Sequence, residues 1–180
     1  ELERPDLNVA INISPSQLSQ QDFGTWLLAQ LSLQRIRPET VTIEITESAV
    51  VETSPELTDN LEALRRAGVK LALDDFGTGF SSLRLLMWLK PDELKIDKSF
   101  VVAASRDPVA LKIVQLLQAL TAQMQLLLVA EGVEDEALLL LLRQAGVQRF
   151  QGYLFARPLS RPALVAQSRA NAPHSSGAPA

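Results

Sequence analysis

The sequence predicts a parallel α/β domain, and three observations predict it. Short runs rich in Val, Ile and Leu recur along the chain, usually followed by a helical stretch. The runs mostly lack in/out alternation, as strands buried on both faces of a parallel sheet do. The intervening segments carry helix start and stop signals.

Strands are expected at residues 7–13, 41–46, 69–74, 93–97, 126–131 and 147–152. Ser14-Pro15 opens the first helix, with Ser as N-cap and Pro at the first helical position. Ser54-Pro55 opens another, which carries Leu57, Leu61 and Leu64 at helical spacing and stops at Gly68. Asp107-Pro108 opens a third, with Leu111, Val114, Leu117 and Leu120. Residues 134–145 form a fourth, closed by Gly146, and residues 160–168 a last one. Residues 1–169 are expected to make one domain and 170–180 a disordered tail rich in Ser, Pro, Ala and Gly. An open doubly wound sheet and a (β/α)8 barrel both fit this alternation. No glycine-rich loop follows the first strand, which weakens a dinucleotide-binding reading. A barrel makes a sharper prediction, with function at the C-terminal ends of several strands.

Composition narrows the chemistry. The 180 residues are 47% hydrophobic and 21% charged, an ordinary globular balance, with a net charge of -4. No Lys/Arg block stands out, so binding to a DNA or RNA polymer is not expected. There is no cysteine, which removes disulfides, thiolate zinc sites and cysteine nucleophiles. The single histidine, His174, lies in the tail, which argues against a His-ligated zinc or a Ser-His-Asp triad. Any metal must be held by oxygen ligands, which suits magnesium, manganese or calcium. No signal peptide or membrane span is visible, and the chain begins without Met, so it reads as a segment of a longer protein.

Nearly every expected strand ends in a polar group: Asn12; Glu44 and Glu47; Asp74 and Asp75; Lys95 and Asp97; Glu131; and Gln151. A lone acid at such a position reads equally as a helix N-cap, and Asp74-Asp75 before Phe-Gly as turn chemistry. Glu47 also fits a plain helix-start acid. The set argues differently. Carboxylates gathered at one barrel mouth repel one another unless cations compensate, and paired divalent ions held this way suit phosphodiester hydrolysis.

The stretch Asp74-Asp75-Phe76-Gly77-Thr78-Gly79-Phe80-Ser81-Ser82-Leu83 resembles the DDFGTGYSSL loop of the EAL cyclic di-GMP phosphodiesterases, with Phe80 in place of Tyr. Asn12-Ile13-Ser14, Ile43-Glu44-Ile45-Thr46-Glu47-Ser48, Lys95-Ile96-Asp97, Glu131-Gly132-Val133-Glu134 and Gln151-Gly152-Tyr153 resemble that family's other elements, in the same order. The resemblance implies a modified TIM-type (β/α)8 barrel that hydrolyses cyclic di-GMP to the linear dinucleotide with two magnesium or manganese ions. By position, Asn12, Glu44, Asp74 and Asp75 would ligate metal, and Asp97 would sit beside the second ion. Lys95 would contact the attacking water, and Glu131 would act as general base or ligand. Gln151 would complete the site, and Glu47 would anchor the loop at 76–82. A homodimer through residues 76–88 and the adjacent helix is implied as well. A cytoplasmic location is expected from the absence of cysteine and of a signal peptide, and tethering of the parent protein to a membrane sensor stays open.

The family's Glu-Ala-Leu strand, which lies upstream of the Asn12 strand, has no counterpart here. Glu62-Ala63-Leu64 and Glu136-Ala137-Leu138 spell it, but both fall in expected helices. A full barrel needs about 250 residues, so about the first two βα units are expected to be lacking. The segment alone is then expected to turn over little substrate. A degenerate receptor that binds cyclic di-GMP without cutting it, or an interaction module, is the alternative for the intact domain.

Overall fold

The computed structural model of the chain describes residues 7–46, 54–77 and 82–170. Among the described residues there are six strands: β1 (Val9–Asn12), β2 (Val41–Thr46), β3 (Lys70–Phe76), β4 (Glu93–Ile96), β5 (Leu127–Ala130) and β6 (Arg149–Phe150). The helices are α1 (Pro15–Leu18), α2 (Phe23–Leu33), α3 (Pro55–Arg66), α4 (Ser82–Leu89), α5 (Lys98–Ala104), α6 (Pro108–Gln123), α7 (Glu136–Gln144) and α8 (Arg161–Ala170). All strands are parallel, and they lie side by side in sequence order, β1 to β6. A doubly wound sheet reverses its order partway; this one never does. Crossovers between parallel strands are right-handed, so an unreversed order keeps the helices on one face and curls the sheet toward a barrel. The fold is α/β, six strands of a barrel whose edges are β1 and β6.

Register separates the two faces of the sheet. Ile43 pairs with Leu71, Ile45 with Leu73, Leu73 with Leu94, Leu94 with Leu128, and Ile96 with Ala130. These residues share one face and are buried in a single cluster with Leu57, Leu61 and Leu64 of α3 and Leu138, Leu139 and Leu142 of α7. The opposite face carries Asn12, Thr42, Glu44, Ala72, Asp74 and Lys95. The strands therefore do alternate, apolar toward the helices and polar or small toward the barrel interior. The sequence hides this because both faces are buried along β2 and β3. Strand β1 departs from the expectation of burial on both faces, because at the sheet edge it is largely exposed.

Caps account for most boundaries. Ser14 and Gln17 form a capping box at α1, and Ser54, Asp107 and Asp135 accept backbone N–H groups at the starts of α3, α6 and α7. The Ser14-Pro15 signal opens only one turn, because Asp22 takes a left-handed φ of 61° before α2 begins. The buried Asn60 of α3 ties that junction down, accepting from Gly24 N–H and donating to the carbonyls of Leu18 and Gln20. Helices α4 and α5 lack strong sequence signals. Asp97, expected at a strand end, is the N-cap of α5 and accepts from the Ser99 N–H at 2.9 Å. The strand expected at 147–152 shortens to two residues, and α8 continues to Ala170.

Candidate metal and phosphodiester site

The polar strand ends converge. Asn12 closes β1 and pairs in register with Glu44 of β2. Asp74 lies on β3, Lys95 on β4, Glu131 directly after β5, and Gln151 directly after β6. Lys95 is the centre, only 3% exposed. Its Nζ lies 2.7 Å from Glu44 Oε1, 3.1 Å from Asp74 Oδ1 and 2.7 Å from Glu131 Oε1. Carboxylate oxygens of Asp74, Asp75 and Glu131 approach within 4.8 Å of one another.

Adjacent residues on a regular strand point to opposite faces, so Asp74 and Asp75 should not both reach one cluster. A bulge resolves this. Leu73 pairs with Leu94 but Phe76 pairs with Ile96, which places one extra residue on β3 between the pairs. Asp75 takes a left-handed φ of 56°, a conformation Asp adopts more readily than most residues. Its N–H donates to Asp74 Oδ1 at 3.0 Å. Phe76 is thereby returned to the apolar face, where it is buried. The double aspartate is thus a backbone device that aims two consecutive carboxylates at one point.

Electrostatics follow from this crowding. Burial alone would push the Lys95 ammonium down, but hydrogen bonds to Glu131 and Glu44 and the charge of Asp74 outweigh it and hold the group above the ordinary lysine value. Burial pushes the Glu131 carboxyl up, with the charges of Asp74 and Glu44 adding to it and Lys95 partly opposing. Burial also raises Asp75, helped by the charges of Asp74 and Asp97. Four carboxylates (Glu44, Asp74, Asp75 and Glu131) face one ammonium, a formal excess of three negative charges when all are ionised. An all-oxygen, anionic donor set with that excess fits hard divalent cations.

Of the remaining expected site residues, Asp97 is near enough to raise Asp75, while its Oδ1 is engaged in capping α5. Asn12 and Gln151 are exposed at the ends of β1 and β6. Glu47 lies outside the described residues, as do positions 78–81 of the adjoining loop. The turns after β5 and β6 are stitched together: Gln151 N–H donates to the Ala130 carbonyl, and Val133 N–H to that of Gln151. Gly152 packs so closely on Val133 that a Cβ would lie 2.1 Å from its carbonyl oxygen. Beside Glu131, a pocket of about 230 Å³ is lined by Lys98, Gly132, Glu134, Gln151, Gly152 and Tyr153. Lys98 pairs with Glu134 across it, and Arg157 lies over the Tyr153 ring at 5.0 Å. Sequence reasoning missed this flank; the clustering of Lys98, Glu134 and Tyr153 around already chosen positions was its only signal.

Comparison with known proteins agrees with this geometry. The sequence model described as the EAL domain matches residues 1–158. The chain is 35% identical over 153 residues to a Pseudomonas aeruginosa protein named cyclic di-GMP phosphodiesterase RocR, covering 85% of this chain and 39% of that protein. A solved Klebsiella pneumoniae BlrP1 structure, a manganese/cyclic di-GMP complex, superposes with a TM-score of 0.79 at 38% identity, covering 84% of this chain and 39% of that one. The EAL domain of Mycobacterium smegmatis DcpA superposes with a TM-score of 0.84 at 38% identity, covering 91% of this chain and 73% of that one. The chain spans from 19% to 39% of the length of the first curated relatives it matches. It belongs to the EAL domain family.

Proposed function

We propose that this domain hydrolyses cyclic di-GMP to the linear dinucleotide, with magnesium or manganese held by the strand-end carboxylates. The observation that carries the reading is the convergence of Asp74, Asp75 and Glu131 around the buried Lys95. Asn12, Glu44, Asp74 and Asp75 are the ligands proposed for the cations, with Asp97 beside the second. Bound cations would supply the positive charge that stabilises the phosphoryl oxygens and acidifies the attacking water.

The protein's own groups divide the rest. Lys95, held above its ordinary value, stays an ammonium at neutral pH. It therefore orients water and balances charge, and does not act as a base. Burial raises the Glu131 carboxyl above the ordinary glutamate range, which suits a general base that accepts the proton of the attacking water as its oxygen bonds to phosphorus, while the departing ribose oxygen leaves with a proton taken from solvent. Gln151, beside Glu131 in the same pocket, completes the site by donating to a phosphate or ribose oxygen. The test is hydrolysis of cyclic di-GMP with manganese, followed by separation of the linear product. Glu131→Ala should reduce turnover by at least about 100-fold; unchanged turnover would refute the assignment of Glu131.

A homodimer through α4 and the 76–88 region belongs to the same proposal. Leu83 and Met87, one turn apart on α4, are 60% and 71% exposed. Sedimentation of Met87→Glu against the parent chain tests it. A cytoplasmic location is also proposed; among the described residues no helix is long and apolar enough to cross a membrane.

A further inference from the structure

We propose that Phe100 is a positioning residue for Asp75, clamping from outside the bulge that aims this carboxylate into the metal cluster. The inference rests on the metal reading above. The bulge ends at Phe76, and Gly77 follows with a φ of 103°. A Cβ at Gly77 would lie 2.7 Å from Cε2 of Phe100, so the ring edge fills the space a side chain at Gly77 would need. Only glycine leaves room for that contact, and only glycine adopts that φ freely.

Phe100 is itself held from both ends. It lies in the first turn of α5, whose start is fixed by the Asp97 carboxylate accepting from Ser99 N–H. Asp97 follows Lys95 by two residues, so one short segment carries the central ammonium, the helix cap and the clamp. The ring is partly buried against the main apolar core. Its other side lines a groove of about 300 Å³ between α5 and α6, with Ala103, Ala110 and Ile113. Space therefore lies behind the ring, and truncating it opens a gap beside Gly77. Without that wall, the Asp75–Gly77 backbone loses one of the contacts that hold the bulged conformation, and the Asp75 carboxylate is aimed less tightly at Asp74 and Glu131.

Two measurements on the full 180-residue chain test this. The first needs no metal: amide hydrogen exchange of wild type and Phe100→Ala. Faster exchange at residues 75–77 with unchanged exchange in β4 is expected; equal exchange at 75–77 overturns the clamp, as does acceleration spread through the sheet, which marks a general packing role. The second is Mn²⁺ binding followed by the EPR signal of the free ion. Phe100→Ala should weaken binding about tenfold or more, as loss of a supporting contact around a metal ligand does, and Phe100→Leu should recover part of it. In an Asp75→Asn background the same Phe100→Ala change should have little further effect. An equal further loss in that background overturns the proposal, because Phe100 would not be acting through Asp75. Wild type that takes up no Mn²⁺ overturns the metal reading and the proposal with it. Wild type that binds while Phe100→Ala binds equally well overturns the clamp alone.

Discussion

Replacing Lys95 by methionine keeps an apolar stem of similar length and removes the one positive charge inside the carboxylate cluster. At an effective dielectric of about 20, an ammonium and a carboxylate 2.7 Å apart attract by about 6 kcal/mol before desolvation is counted. Much of that offsets the burial of the charges, so the loss on removing one partner of a buried pair is about 3–5 kcal/mol. Glu44 and Asp74, each 8% exposed, are then left with like-charged neighbours and little water. For a domain of this size the loss corresponds to a fall in melting temperature of about 6–20 °C. The sign with pH is fixed. The folded Lys95 value lies above the unfolded one, so its stabilisation is complete below about pH 10 and is lost only as pH rises through the higher folded value. Between pH 5 and 9 Lys95 therefore does not titrate, and any change in the mutant's deficit comes from the carboxylates. The deficit should be largest at pH 8 in EDTA, shrink toward pH 5 as Asp75 and Glu131, whose values are raised, begin to protonate, and shrink again with Mn²⁺. Thermal melts monitored by circular dichroism read all three conditions. A Lys95→Met chain as stable as wild type at pH 8 in EDTA would refute the idea that this ammonium holds the cluster together.

Asp75→Asn should act in opposite directions on two readouts. Because burial and the charges of Asp74 and Asp97 oppose its ionisation, the metal-free melting temperature should rise; Mn²⁺ affinity in the same EPR titration should fall. Asp97→Ala should cost about 1 kcal/mol through the lost α5 cap. Its effect on Mn²⁺ affinity, compared with that of Asp97→Ser, which keeps a cap, separates ligand from cap. Asp75 and Glu131 have folded values above their unfolded ones, so their contribution favours folding at low pH and is lost as pH rises through the raised values. Mn²⁺ needs the Asp75 ligand ionised, so its affinity should begin to fall at a pH above the ordinary carboxylate range of about 4; isothermal titration from pH 8 to 5 measures the onset.

Much of the candidate site was legible because its residues stand at or near the C-terminal ends of strands, where polar residues interrupt apolar runs. Glu44, Asp74, Lys95 and Glu131 all emerged in this way, and the ordered motifs gave the family. Other features were not legible. The polar, interior face of β2 and β3 was masked because burial of Thr42 and Ala72 leaves no exposed alternation. The bulge at Asp74–Asp75 depends on register with β4, a tertiary fact that no local pattern carries. Asp97 was read as a strand end beside metal, and nothing local distinguishes that from an N-cap, because an acid before a short helix serves both. Phe100 escaped notice for the same reason: its partner, Gly77, is 23 positions away and met only through the crossover from β3 to α5.

The most direct test of the central claim is manganese-dependent hydrolysis of cyclic di-GMP, measured on this chain and on a form extended upstream by about two βα units, enough for eight strands. Linear dinucleotide is expected from the extended form, lost with Glu131→Ala and with removal of manganese. An extended form that binds cyclic di-GMP but never cleaves it, or cleavage that survives Glu131→Ala, would contradict it.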